Sequence, residues 1–132
     1  MSTSGYAGFL QKMLRGELAL AATLGSNKVC TNPQQAGCNA ARTADSAADE
    51  NLNYSLGHWV EDDARYGDHA FSSAGGAGFY PWISSDKTVY GIVARERPAE
   101  SAAGYHSLEC GRLIRQAWRT GVPVTTPTPA PT

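Results

Sequence analysis

Residues 54–96, YSLGHWVEDDARYGDHAFSSAGGAGFYPWISSDKTVYGIVARE, decide how this chain folds. Short runs rich in aromatic and β-branched residues occur at 54–61, 70–74, 78–83 and 88–95, separated by polar and glycine-containing turns. They predict consecutive antiparallel strands, with 88–95 the cleanest of them and Ser84-Ser85-Asp86-Lys87 as a turn. Pro81 removes a ladder donor within its strand, so that strand is expected to lie partly at an edge or the sheet to be irregular there. The cluster Gly75-Gly76-Ala77-Gly78 falls where one strand hands over to the next. Residues without a Cβ tolerate positive φ and let another group approach the backbone closely, and in an enzyme that group would be a substrate. Trp59, Tyr80 and Trp82 have the chemistry to stack on a ligand, but alternation along the strands makes them core residues first.

Outside this stretch the periodicity changes. Tyr6, Phe9, Leu10, Met13 and Leu14 fall at i, i+3, i+4, i+7 and i+8, the signature of one helix face, and the serines at 2 and 4 can cap its start. Cys110, Leu113, Ile114, Ala117 and Trp118 repeat that spacing, flanked by Arg112, Arg115 and Arg119. The expectation is an α+β unit over residues 1–121: an antiparallel sheet of about three to five strands, with an N-terminal and a C-terminal helix packed against one face. Residues 25–53 lose all periodicity, and the alanine-rich run at 41–50 reads as a short helix or a surface excursion. The tail at 122–132, VPVTTPTPAPT, has few amide donors and little to bury, and is expected to be disordered or extended.

Composition excludes some functions. A length of 132 residues suits one domain, and a formal charge of -1 gives no electrostatic basis for binding nucleic acid. No run approaches the roughly 20 apolar residues of a membrane-spanning helix, and the first residues lack the basic start and apolar stretch of a signal peptide. Cys30 and Cys38 flank Asn32, Pro33 and Gly37, which let the loop fold back far enough to close a disulfide; two free thiols are the alternative. Their segment has no His or further Cys to complete a zinc site, and no cofactor motif is present. Disulfide use implies an oxidising compartment, at odds with the missing signal peptide.

Two clusters contain ligand-type residues. His106 and Cys110 share a helix face, a spacing that suits a thiolate-imidazole pair or two metal ligands, although Cys110 also sits on the apolar stripe as a buried structural cysteine would. His58, Asp62, Asp63, Asp68 and His69 match no metal spacing and read as a solvated strand end. No metal site is expected.

Four segments in order resemble the C-terminal part of the serine beta-lactamase-like hydrolase family, which includes class C beta-lactamases, DD-peptidases and related esterases. They are GYAGFLQKMLRGE, YSLGHWVE, FSSAGGAGFYPWI followed by VYGIVARE, and GYHSLECGRLIRQAW. In that family a strand bearing Lys-Thr-Gly, or a His- or Trp-Gly-Gly variant, walls the active site. The resemblance puts Ser73, Ala74 and Gly75 at that motif, without its cation, and Gly76 just after it, where a backbone N–H would donate to an oxyanion. Ser84 and Lys87 match the letters of the family's Ser-x-x-Lys but sit in an expected hairpin turn, and Tyr66-Gly67-Asp68 echoes a base motif loosely. The resemblance places the family's catalytic elements upstream of the region matched here. It therefore implies an exported parent, a chain that is not catalytic alone, and either a complementary N-terminal hydrolase half as partner or reuse of the sheet as a small binding or self-associating module.

Overall fold

The computed structural model describes residues 2–40, 50–100 and 102–124. The alanine-rich run, apart from Glu50, and tail residues 125–132 lie outside them. Helix α1 spans Thr3–Leu14, and the Ser2 hydroxyl caps it by accepting the Gly5 N–H at 3.1 Å. A short 3-10 turn follows at Ala19–Thr23. The strands are β1 Val29–Cys30, β2 Asn53–Ser55, β3 His58–Val60, β4 Phe71–Ser72, β5 Tyr80–Ile83 and β6 Tyr90–Val93, and helix α2 closes the order at Ala103–Thr120. All neighbours pair antiparallel in the order β1-β2-β3-β4-β5-β6.

Among the described residues the sheet has six strands rather than three to five. Part of the difference is at 54–61, expected to be one strand: Ser55 pairs with His58, and Leu56 (φ 24°) and Gly57 (φ 91°) form a two-residue hairpin turn between β2 and β3. Positive φ at both turn positions matches the twist of paired strands, which is why such turns select glycine. The rest is β1, formed by two residues in the stretch without periodicity. There the disulfide is made: Cys30 of β1 bonds Cys38 with their Cα atoms 5.8 Å apart.

The helices pack on opposite faces, not one. Leu10 and Met13 of α1 pack with Ile83, whereas Leu108 of α2 packs with Tyr80, Trp82 and Leu52. Trp82 and Ile83 are successive residues of a strand and point to opposite faces. All four residues of β5 are buried, and a strand apolar on both sides needs a layer over each. Pro81 fits inside this central strand because its main chain faces β4, where its carbonyl accepts the Ser73 N–H at 3.1 Å just as β4 ends.

Helix α2 is rotated from its sequence-expected orientation. Its buried face is Ala103, Gly104, Ser107, Leu108, Gly111, Arg112 and Arg115; Ile114 and Trp118 of the apolar stripe stand 48% and 72% exposed. Close approach explains the choice. A Cβ on Gly111 would stand 2.2 Å from the Tyr80 ring, and one on Gly104 2.6 Å from the Gly75 carbonyl oxygen. Only the glycine side of the helix can lie this near the sheet.

Gly111→Ala tests that fit. Helix propensity favours Ala by about 1 kcal/mol, but overpacking against an immobile buried ring costs about 1–3 kcal/mol or more. Net destabilisation is expected in urea melts followed by tryptophan fluorescence; an unchanged or raised midpoint would refute the close approach. Reducing Cys30–Cys38 releases a short loop and is expected to lower stability by about 2–3 kcal/mol, read as a lower urea midpoint in dithiothreitol.

Candidate functional site

The β4–β5 connection is built on a tight turn. The Gly75 N–H donates to the Phe79 carbonyl at 2.9 Å, and the Gly78 N–H returns to the Gly75 carbonyl at 2.8 Å. Gly78 has φ 97°, while Gly76 and Ala77 keep negative φ, so a type I turn is followed by a left-handed glycine. The base of this hairpin rests on the start of α2: Gly78 is buried near Ser107 and Ala103, and Gly75 meets Gly104. Ser73 and Gly76 are exposed, and Ala74 packs toward the α2 side. No heavy atom lies within 4 Å of where a Gly76 Cβ would stand. Among the described residues no acceptor meets the Gly76 N–H.

Ser84 has a different task. It is buried, its hydroxyl donates to Asp86 at 2.6 Å, and it accepts the N–H groups of Thr88 and Val89 at 3.2 and 3.1 Å. These bonds stitch the β5–β6 turn. Lys87 (φ 57°) points its ammonium to the Ala21 carbonyl at 3.3 Å, not to Ser84. Hydrogen bonds from Ser84 and Thr88 hold the Asp86 carboxyl down at about 2.

The polar group between β3 and β4 is structural. Asp63 is buried and accepts the N–H groups of Asn51, Arg65 and Tyr66, turning the chain back on itself. Asp62 is engaged by Lys28 and His69, each at 2.7 Å, and by Asn53 at 2.8 Å. The His58 Nε2 accepts the Gly25 N–H at 3.0 Å, and burial lowers its pKa. His58 also lines a cavity of about 140 Å³ under α1, with Phe9, Met13 and Phe71. Gly67 is locked by backbone: a Cβ there would strike the Glu61 carbonyl oxygen at 2.1 Å. His106 bonds Glu100 at 2.8 Å, and Cys110 is exposed rather than buried. Among the described residues no group of three or more His, Cys, Asp and Glu has the arrangement of a metal site, and no helix is long and apolar enough to cross a membrane.

The feature that sequence reasoning missed lies under α2. Arg112 makes paired bonds to Glu50, both 2.8 Å, and a third to Glu61 at 2.8 Å. Arg115 reaches Glu61 at 2.8 Å, Asp68 at 2.7 Å and the Tyr80 hydroxyl at 2.6 Å, and Tyr80 in turn donates to Glu61. Burial alone would lower both guanidinium pKa values, but the facing carboxylates raise them, so both stay charged. Burial would likewise raise Asp68; its bonds to Arg115 outweigh this and hold it below the usual range. Tyr80 is pushed far up by burial and the Glu61 charge, and remains a phenol. Trp59 and Trp82 belong to the same core, Trp82 with the Arg115 guanidinium 5.0 Å over its ring. One signal was available: Ser107, Leu108, Gly111, Arg112 and Arg115 also follow helical spacing, on the side carrying both close-packing glycine and charge.

Compared with protein-family models, curated proteins and solved structures, the chain finds no match. Glu61→Gln keeps the shape of the network but leaves two buried guanidinium groups short of a carboxylate, and is expected to cost about 3–5 kcal/mol in denaturant unfolding; a loss below about 1 kcal/mol would show that Glu50 and Asp68 suffice. Because the Asp68 pKa is depressed in the folded chain, the unfolded chain binds more protons in the acid range. Its stabilisation is full above the ordinary carboxylate pKa and is lost as pH falls through the depressed folded value. Asp68→Asn should flatten that acid limb.

Proposed function

We propose that this chain supplies the substrate-facing sheet of a beta-lactamase-related serine hydrolase acting on acyl compounds, and does not itself carry the acylating nucleophile. The observation that carries the reading is the Gly76 amide: an N–H on a hydrogen-bonded turn, at an exposed residue and with no acceptor among the described residues. A fixed donor of that kind, aimed where charge develops, is what a tetrahedral oxyanion requires. Ser73-Ala74-Gly75 lead into it just beyond the end of β4, and the resemblance of the sequence would match them to the Lys-Thr-Gly type of motif. Without that motif's cation, recognition of a substrate carboxylate through this position is not part of the proposal. Ser84 is spoken for by Asp86, Thr88 and Val89, and Lys87 by Ala21, which supports a nucleophile that comes from elsewhere. A separate polypeptide carrying Ser-x-x-Lys would complete the site.

Phenylphosphonate, a stable tetrahedral anion, is a direct probe of the turn. In amide NMR titrations the expected shifts center on Gly76 and Ala77. Gly76→Pro should abolish them while keeping the fold, because proline suits this position of a type I turn and removes only the donor. Shifts that are absent, or that persist in Gly76→Pro, would overturn the assignment. Turnover of nitrocefin or a p-nitrophenyl ester that Ser84→Ala abolished would overturn the absence of a nucleophile.

A further inference from the structure

We propose that the outer edge of β6 is a strand-addition site for an extended, apolar segment of another polypeptide. This inference stands apart from the hydrolase reading, since it uses neither the β4–β5 turn nor any acyl chemistry.

β6 is the last strand of the sheet. The Ser84 N–H donates to the Val89 carbonyl at 2.9 Å, which fixes the main chain of Val89 toward β5. Alternation along an antiparallel strand then turns Gly91 and Val93 toward β5, and the N–H and C=O groups of Tyr90 and Ile92 outward. These outward groups form the floor of a groove of about 440 Å³. Leu14 of α1 stands on one side, and Ile114 and Trp118 of α2 on the other. Gly91 is a notch in the floor, across which the Trp82 indole lies, 2.4 Å from where a Cβ would be. The indole Nε1 is buried and has no hydrogen-bond partner among the described residues. Trp82 and Gly91 both line the groove, so this wall holds a donor without an acceptor.

Together these features specify the occupant. A row of main-chain donors and acceptors is satisfied in full by another extended backbone. Apolar walls on both sides require alternate side chains of that strand to be apolar on both faces. A second copy of this chain fits poorly in the two-fold register that pairs Tyr90 with Ile92, because Lys87 would oppose Arg95 and Asp86 would oppose Glu96. The chain's own tail fits poorly too, because the residues between its prolines at 127, 129 and 131 are threonine and alanine, which give one wall of the groove little to bury.

The probe is the peptide acetyl-Lys-Thr-Val-Ile-Val-Thr-Lys-amide, titrated into the full chain and followed by tryptophan fluorescence. The expected result is saturable binding. It should weaken at least tenfold for a twin peptide N-methylated at alternate residues, and at least tenfold for Ile92→Pro, which deletes an outward donor and leaves the β5 ladder intact. Trp118→Ser, at an exposed position, should weaken binding without altering the fold by circular dichroism. Three outcomes would each overturn the proposal. These are no saturable binding to the wild-type chain, equal affinity for the N-methylated twin, and a dimer in sedimentation that Ile92→Pro dissolves, which would make the occupant a second copy.

Discussion

The two arginines buried beneath α2 set the terms for the rest of this molecule. Arg115 is almost entirely enclosed, yet it is charged, and an enclosed charge is tolerated only when carboxylates and hydrogen-bond acceptors surround it. Glu50, Glu61 and Asp68 meet that demand from separate places in the chain: before β2, after β3 and before β4. A network with so few permitted geometries fixes the rotation of α2 about its axis and its height above the sheet. It fixes the β2, β3 and β5 strands relative to one another as well, since Tyr80 reports to the same carboxylate as both arginines. An apolar seam of equal area would tolerate small rotations that this one forbids.

That rotation has two results. The small residues Gly104 and Gly111 come to face the sheet, so α2 packs close and its first turn supports the hairpin carrying Ser73 to Gly76. Meanwhile the hydrophobic stripe of the same helix is turned outward, to the rim of the groove beside β6. The candidate substrate turn and the candidate strand-addition edge are thus consequences of one packing decision.

How much of this could be read from the sequence follows from the same physics. The α1 face, with its serine cap, was legible because local spacing and burial agree: Leu10 and Met13 are buried where the periodicity puts them. The meander and the glycine turn were legible because strand and turn residues alternate cleanly across 70–95. The α2 face was not, because hydrophobicity alone ranks Ile114 and Trp118 above Arg112 and Arg115, and the carboxylates that reverse the ranking lie 47 to 62 positions away. The Leu56-Gly57 hairpin was hidden because leucine rarely accepts positive φ, and β1 because two residues carry no period. The opposite placement of the helices was implicit in the uninterrupted apolar run of β5, which alternation-based reading discounts. At the candidate site, the glycines gave the location, but only the hydrogen-bond pattern separates the engaged Gly75 amide from the open Gly76 one.

The two borders of the sheet are unequal. One ends in β1, two residues long and tied by Cys30 to the loop closing at Cys38; the other ends in the four residues of β6, where the outward groups of Tyr90 and Ile92 have no strand beside them among the described residues. A sheet with one short, crosslinked border and one receptive border has a direction. A strand added at β6, as proposed above, would find no equally long border at β1, so assembly of that kind would stop after one addition instead of propagating into a fibre.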